Sequence, residues 1–282
     1  ATAAAPNGVR GIKLFMKTEQ TDKLATSRSA LALGIPAMEM LGRVRVMVLG
    51  LGGVGSWAAE ALVRTGVRHM ALVDADCVAV SNVNRQAPAT MATVARPKTE
   101  AMAARLRDIA PDVELELLTA TYCEATASGF DFESYDYVID AIDSLADKQL
   151  LMLNVAACRR PVLFSSMGAA LKMDPGKIEV AEFWKVHGCP LAAALRSRMR
   201  RAGTFPARKV MCVFSPERLP NHPEALEGID LPDSSMRFGK VAVNGSLCHI
   251  TATFGLRLAS LVVSDIYRRA TEISPNAPLV KS

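Results

Sequence analysis

Between Val44 and Gln86 the chain reads VRVMVLGLGGVGSWAAEALVRTGVRHMALVDADCVAVSNVNRQ, and this stretch leaves little freedom to whatever folds around it. The apolar run Val44 to Leu49 predicts a buried strand, and Gly50, Gly52, Gly53 and Gly55 end it in a sharp turn. An amphipathic pattern from about Val54 to Thr65 predicts a helix, and Met70 to Val73 a second strand that ends on Asp74. Together these make one nucleotide-binding βαβ unit. The first glycines let the chain turn, and the next remove side chains so that backbone N–H groups can approach a phosphate. The helix after them aims its positive end at the anion. Asp74, at the tip of the second strand, is placed to accept hydrogen bonds from ribose hydroxyls.

The glycines alone do not choose the nucleotide. Gly50, Gly52 and Gly55 satisfy G-x-G-x-x-G, and an acid about 20 residues on suits NAD or FAD as well as ATP. The residues beyond Asp74 separate them: Asp76, then Asn82, Arg85 and Gln86, then Lys98. A dinucleotide carries two phosphate charges, largely met by the helix end. Two cationic side chains and an amide beside the same turn suit a triphosphate better.

With 282 residues, 50% of them apolar, the chain can bury roughly three-quarters of its unfolded surface, enough for one large domain or one and a half. A formal charge of +5 allows an anionic partner without demanding one. Cys77, Cys123, Cys158, Cys189, Cys212 and Cys248 show no CxxC and no paired spacing. They predict reduced thiols of an intracellular protein, not a disulfide frame or a zinc knuckle. Arg257 interrupts the longest apolar candidate for a membrane span, so no membrane partner is expected. The first residues, ATAAAPNG, lack the apolar core of a secretion signal. A cytoplasmic protein is expected, with organelle import left open because the numbering starts without a methionine.

Along the chain, residues 1–25 read as a loose polar arm, and Thr26 to Leu41 carries two short helical patterns broken at Gly34 and Pro36. A polar loop, Ser81 to Arg96, leads to a helix opened by Pro97, with Met102, Leu106 and Ile109 on one face. Val113 to Leu118 and Tyr137 to Ile142 read as strands, Leu145 to Cys158 as a helix, and Pro161 to Phe164 as the next strand. This alternation predicts an α/β fold, Rossmann-like, its mostly parallel sheet covered by helices on both faces. In such sheets the ligand sits at the carboxyl ends of the strands, where Asp74 and Asp143 both fall. Residues 26–166 form the nucleotide-binding core of this reading. Residues 167–282 form an irregular substrate-binding and C-terminal helical part of the same domain. That part holds a strand-like Lys177 to Val186, a basic helix Pro190 to Ala202, a strand Lys209 to Phe214, and a proline-rich loop Ser215 to Ser235. It ends on a long apolar helix, Ser246 to Ala270, suited to core or interface.

GLGGVGS (50–56), LVDAD (72–76), SNVNRQ (81–86), RPK (96–98) and VIDAID (138–143) together resemble the ThiF/MoeB/ubiquitin-activating-type enzymes, the ATP-dependent adenylyltransferases of ubiquitin, molybdopterin and thiamine pathways. SSMGAALKMDP (165–175), CPLAAALR (189–196) and VFS (213–215) extend the likeness toward the branch of tRNA threonylcarbamoyladenosine dehydratases. The absence of paired CxxC motifs favours that branch over sulfur-carrier activators. The resemblance implies a homodimer, ATP and Mg²⁺, and a reaction in which a carboxylate attacks the α-phosphate of ATP to give an acyl-adenylate. A nucleophile within the same nucleoside then displaces AMP. It implies that the glycines with Ser56 bind the nucleotide, that Asp74 holds the ribose with Asp76 a further nucleotide-binding candidate, and that Asn82, Arg85, Gln86 and Lys98 clamp the phosphates. Arg85, Lys98 and Asp143 would be catalytic, with Asp143 holding Mg²⁺. Relatives carry a phosphate-reaching arginine upstream of the first strand, near Leu31 here; the nearest arginine is Arg28. A sulfur-transfer protein is a further partner the resemblance allows.

Arg196, Arg198, Arg200, Arg201, Arg208 and Lys209 put six cations into fourteen residues without an acid. They read as a solvated helix face or as a grip on the tRNA backbone, with no aromatic stacking platform beside them. Cys189 reads as a half-buried thiol in preference to a thioester-forming nucleophile. His69, His187, His222 and His249 have no ligand spacing, and Trp57 reads as packing. Activation of a ubiquitin-like or sulfur-carrier protein is the alternative function, and an NAD-binding Rossmann protein the second alternative.

Overall fold

The first strand, β1 (Arg45–Leu49), has no polar face: past Arg45, every residue is buried. Val46 and Val48 face one side of the sheet, and Met47 and Leu49 the other. Parallel neighbours flank it, β2 (His69–Val73) and β4 (Tyr137–Asp140), with Leu49 level with Val73 and Asp140. With β3 (Glu114–Leu118), β5 (Val162–Ser166), β6 (Glu179–Glu182) and β7 (Met211–Phe214), the computed structural model forms a seven-stranded sheet ordered β3-β2-β1-β4-β5-β7-β6. All pairings are parallel except that of β6, the antiparallel edge. The structure describes residues 23–227 and 244–273.

The helices are α1 (Ser27–Leu33), α2 (Ile35–Arg43), α3 (Gly55–Thr65), α4 (Lys98–Ile109), α5 (Leu145–Ala157), α6 (Pro190–Ala202) and α7 (Cys248–Ile273). On one face Leu41, Leu62, Met102, Leu106, Phe254 and Leu258 pack with Val46 and Val48. On the other, Leu151, Met152, Leu195 and Met199 pack with Met47 and Leu49. The sheet is therefore covered on both faces, as its apolar strands require. The strand order reverses between β1 and β4, and the crevice for a ligand opens at their carboxyl ends.

Several boundaries differ from the sequence reading, each for a local reason. Pro36 does not break a helix; it sits in the first turn of α2, where a missing N–H costs nothing, and Gly34 alone separates α1 from α2. The strand expected to reach Ile142 stops at Asp140, whose carboxylate accepts the Ile142 N–H at 3.1 Å and turns the chain out of the ladder. Of Lys177 to Val186 only four residues pair as β6; Glu182 accepts the Trp184 N–H and starts a 3₁₀ turn, Phe183–Lys185. Residues 1–22 of the predicted arm and residues 228–235 of the predicted loop lie outside the described residues.

Helix α7 resolves the choice between core and interface for its inner face. Ile250, Phe254, Leu258, Val262 and Ile266 are fully buried at helical spacing, each worth roughly 1.5–3 kcal/mol against exposure. The buried Tyr137 hydroxyl donates to Asp265 at 2.8 Å and accepts from Arg269 at 3.2 Å, tying α7 to β4. Against the sequence reading, Arg257 does not disqualify this helix by length and composition: Cys248–Glu272 is long and apolar enough to cross a membrane. In this fold its apolar stripe instead lies against the sheet.

Candidate nucleotide-binding site

The turn after β1 requires glycine at two places. Gly50 has φ +90°, and a methyl group there would stand 2.7 Å from the Ala141 carbonyl oxygen across the crevice. Gly55 opens α3, and a side chain there would overlap the Gly50 carbonyl. Gly53 is covered, with Thr251 and Arg85 Cγ 3.0 and 3.2 Å from where a methyl would lie. Gly52 is the open position, approached only by Gln86 Nε2 at 3.9 Å. Room for an anion therefore lies over Gly52, in front of the α3 N–H groups that have no intrahelical acceptor. Ser56 is fully buried and its hydroxyl is committed, donating to Gly52 O at 2.7 Å and accepting from Ala87 N at 3.1 Å. It ties the turn to the next loop; the nucleotide contact expected of its side chain is not available.

Asp74 is committed to the same turn. Its Oδ2 accepts the Leu51 N–H at 2.7 Å and its Oδ1 the Asp76 N–H at 2.9 Å. Two oxygens offer about four acceptor positions, so capacity for a ribose hydroxyl remains. Lys98 is buried, with its ammonium 2.8 Å from Asp76 Oδ2 and 3.6 Å from Asp74 Oδ1. A backbone bond from Lys98 N to Asp76 O and the bridge between Cys77 and Pro97 bring α4's first residue here. Asp76 thus holds Lys98 in place beside the turn.

The loop carrying Asn82, Arg85 and Gln86 closes the other side. Asn82 Oδ1 caps its own turn by accepting Ala79 N at 3.0 Å. Arg85 donates to Ser81 O and Asn84 Oδ1, both at 2.9 Å. Burial pushes its guanidinium below the usual arginine value, and the facing Asp143 carboxylate opposes that. Trp57, expected only to pack, donates its indole N–H to Arg85 O at 3.0 Å and so positions the loop. Gln86 Oε1 is buried without a hydrogen-bond partner. A buried orphan amide oxygen costs about 1–3 kcal/mol. The other end of the same amide, the Nε2 donor, is the atom that faces the open Gly52 and can donate to a phosphate oxygen.

Asp143 is exposed at the carboxyl end of β4, on a loop fixed from below. Beneath it, Asp140 and Lys148 form a fully buried ion pair at 2.8 Å. Ser165 Oγ donates to Asp140 Oδ2 at 2.6 Å, and Lys148 Nζ to Ile142 O at 2.9 Å. The sequence reading missed Lys148, although a signal was present: it lies on the i, i+3, i+4, i+7 stripe of α5 with Leu151, Met152 and Val155. Among the described residues no three His, Cys, Asp or Glu side chains gather as a metal site. One exposed carboxylate suits Mg²⁺, a hard ion that commonly takes one or two carboxylates and completes its shell with water and phosphate oxygen.

The basic run divides. Arg208 donates to the carbonyls of Val155, Ala156, Arg159 and Pro161 at 2.9–3.2 Å, closing the C-terminus of α5. Arg196 donates to Phe183 O and Val186 O at 3.0 and 2.7 Å. These two are fold-holding groups, which corrects their assignment to a tRNA grip; Arg198, Arg200, Arg201 and Lys209 remain exposed. The expectation of no aromatic neighbour is also overturned, since Trp184 and Phe205 stand exposed beside Arg200. Cys189 is fully rather than half buried, unlike an accessible nucleophile. Arg28 is exposed on α1. The histidines pair with Glu114, Glu179, Glu224 and the Met173 carbonyl. A cavity of about 460 Å³ lined by Arg45, His69, Glu116 and Tyr135 lies at the amino ends of the strands, opposite the glycine turn.

A family model described as the ThiF family matches residues 26–270. The chain is 44% identical over 191 residues to the tRNA threonylcarbamoyladenosine dehydratase of Bacillus subtilis, covering 68% of this chain and 74% of that protein. It is 35% identical over 254 residues to that of Escherichia coli, covering 84% and 91%. The crystal structure of the E. coli dehydratase in complex with ATP superposes with a TM-score of 0.75 at 32% identity, covering 89% of this chain and 96% of that one. The E. coli molybdopterin-synthase adenylyltransferase is 32% identical over 151 residues, 54% of this chain and 59% of that protein.

Proposed function

Because the chain belongs to the ThiF family, we propose that it is an adenylate-forming, ATP-dependent dehydratase that cyclises threonylcarbamoyladenosine next to the anticodon of tRNA. The observation that carries this reading is the open Gly52 ahead of the α3 N-terminus, with Gln86 Nε2 facing it, Arg85 Cγ against the neighbouring Gly53, and Lys98 beside Asp74, the carboxylate that holds Leu51 N of the turn. The chemistry needs such a site. A carboxylate oxygen attacks the α-phosphorus and pyrophosphate leaves; an intramolecular nucleophile then attacks the acyl carbon and AMP leaves. The nucleoside loses one water, accounted for by cleavage of ATP.

Two anions must meet in the first step. Lys98 and Arg85 supply fixed positive charge where negative charge builds on the phosphates, each such donor worth about 3–4 kcal/mol of barrier. Asp74 orients the ribose, and its bond to Leu51 N keeps that contact in register with the phosphate turn. Gln86 donates from Nε2 to a phosphate oxygen over Gly52, and Asn82 holds the loop. Asp143 would hold Mg²⁺, which when bound neutralises phosphate charge. Exposed Arg198, Arg200, Arg201 and Lys209 grip the tRNA backbone, and binding should weaken steeply with salt.

A homodimer belongs to this reading. Helix α1 buries none of its side chains, and Leu31 is 82% and Ile35 63% exposed, an apolar edge that a second copy would cover and that would carry Arg28 toward the partner's phosphates. Activation of a carrier protein is the second reading, favoured by the likeness to molybdopterin-synthase adenylyltransferase, which spans about half of the chain. The test is incubation with ATP, Mg²⁺ and tRNA bearing threonylcarbamoyladenosine, then mass spectrometry of the digested nucleosides. Loss of one water supports the dehydratase; pyrophosphate exchange that depends on a carrier protein and ignores tRNA supports the second reading.

A further inference from the structure

Trp184 and Phe205 are 37% and 54% exposed, with ring centroids 5.8 Å apart and planes tilted 52°. The Arg200 guanidinium lies 5.5 Å from the Trp184 ring centroid. The mount under Trp184 is rigid. The ring packs edge-on against the fully buried Phe183 at 5.1 Å, and its backbone N–H is held by Glu182 at 2.9 Å. Arg196 clamps the carbonyls on either side, those of Phe183 and Val186. Lys185 and Arg201, the chain neighbours of Trp184 and Arg200, are exposed, as is Lys209 next to Val210, whose carbonyl holds Phe183 N; the Glu182 carboxylate is turned to the backbone.

Resting on the tRNA reading, we propose that Trp184 and Phe205, with Arg200 across the indole, form a stacking platform for an unpaired nucleobase of the bound tRNA. An aromatic face offered to solvent from a fixed backbone, with Arg200 on the indole and exposed cations next to it in the chain, matches how unpaired RNA is bound: bases stack on rings or guanidinium planes while the backbone tracks positive charge. A protein partner with an acidic surface would use the cations but leave the ring faces unused.

The position gives the platform a distinct task. Phe183 N–H donates to Val210 O, so the platform lies at the amino end of β7, away from the glycine turn. From β1 to β7 is three strand spacings across and one short strand along, on the order of 20 Å. The base held there is not the reacting nucleoside but one several nucleotides away. The platform fixes the orientation of the RNA and takes no part in the chemistry.

The experiment measures tRNA affinity across a salt series for the wild type and for Trp184→Ala, Trp184→Phe, Phe205→Ala and Arg200→Ala, with turnover at saturating tRNA. Trp184→Ala should weaken binding roughly tenfold, as the loss of one stacked base does, with the salt slope unchanged. Arg200→Ala should lower the slope by about one. Trp184→Phe should recover most of the loss, and kcat should hold in the Trp184 and Phe205 variants while KM for tRNA rises. Tryptophan fluorescence of the wild type should quench on tRNA binding more than that of Trp184→Phe. Unchanged affinity in Trp184→Ala, or a loss that disappears with salt as a charge deletion would, overturns the platform. If the wild type converts no tRNA, the functional reading fails instead; if it converts tRNA and Trp184→Ala matches it in KM, only the platform falls.

Discussion

Replacing Lys148 by methionine keeps the length of the side chain and removes its charge. In the folded chain Asp140 would keep two neutral donors, Ser165 Oγ at 2.6 Å and Ile142 N at 3.1 Å, and lose its cation partner at 2.8 Å. Neither partner is exposed at all, so water cannot replace the ammonium. At that distance, with an effective dielectric of about 20, the Coulomb attraction is ~6 kcal/mol before desolvation is subtracted. Breaking such a pair from one side costs about 3–5 kcal/mol net, and the Ile142 carbonyl also loses its donor. Against a total stability of about 5–15 kcal/mol, this lowers the midpoint of thermal unfolding by roughly 6–20 °C. Circular dichroism melts and urea titrations measure it. Adding Asp140→Asn should recover most of the loss, because the amide still accepts from Ile142 N and can donate to Ser165. A loss below about 1 kcal/mol, or a double variant as unstable as the two single losses summed, would show that the buried pair does not hold the loop. Nucleotide affinity should fall with stability, since the Ala141 carbonyl on this loop abuts Gly50.

Lys98→Gln should reduce ATP–pyrophosphate exchange by about 10²–10³ while the melting temperature moves little, because water can solvate the half-exposed Asp76 and the largely buried Asp74 side chain keeps its Leu51 and Asp76 N–H donors; unchanged exchange removes Lys98 from the chemistry. Arg208→Ala should cost about 1–3 kcal/mol of stability through the carbonyls of α5 and leave the salt slope of tRNA binding unchanged, the reverse of Arg200→Ala. Glu217 accepts the N–H groups of Asp174 and Met173 and pairs with Lys177, which holds its carboxyl down to about 2 from 4.5. A depressed folded value means the stabilisation is full above the unfolded value and is lost as pH falls from about 4.5 toward 2. Urea midpoints between about pH 6 and pH 3 should therefore fall less in Glu217→Gln than in the wild type; an identical slope in both would remove Glu217 from the acid response.

The part of the fold legible in the sequence was local. Gly50 and Gly55 are dictated by the turn they make, and strands flanking such a turn must be apolar on both sides, so the βαβ unit and the sheet follow from one short stretch. Lys98 was assigned to the nucleotide site from the residues beyond Asp74 and from the family resemblance, but its pairing with Asp76 was not legible, because a 22-residue separation closes through the bridge between Cys77 and Pro97. The basic run misled in two of its six cations: Arg208 is taken up by carbonyls some fifty residues earlier, within reach only because α5 ends beside β7. Trp184 and Phe205 are far apart in the chain and meet because α6 returns it to its starting edge, which no short-range pattern encodes. Ser56 was assigned to the nucleotide from its motif, whereas burial makes its hydroxyl an internal fastener.

The proposed reaction requires Arg85 and Lys98, near the carboxyl ends of β1 and β2, to drive a carboxylate oxygen onto the α-phosphorus of ATP. Oxygen transfer reads out that step: the carboxylate of tRNA-borne threonylcarbamoyladenosine is labelled with heavy oxygen and the label is followed through one turnover. One heavy oxygen is expected in the released AMP and none in pyrophosphate, with transfer lost in Lys98→Gln. Heavy oxygen appearing in inorganic phosphate alongside ADP, or AMP released without label, would contradict adenylate formation.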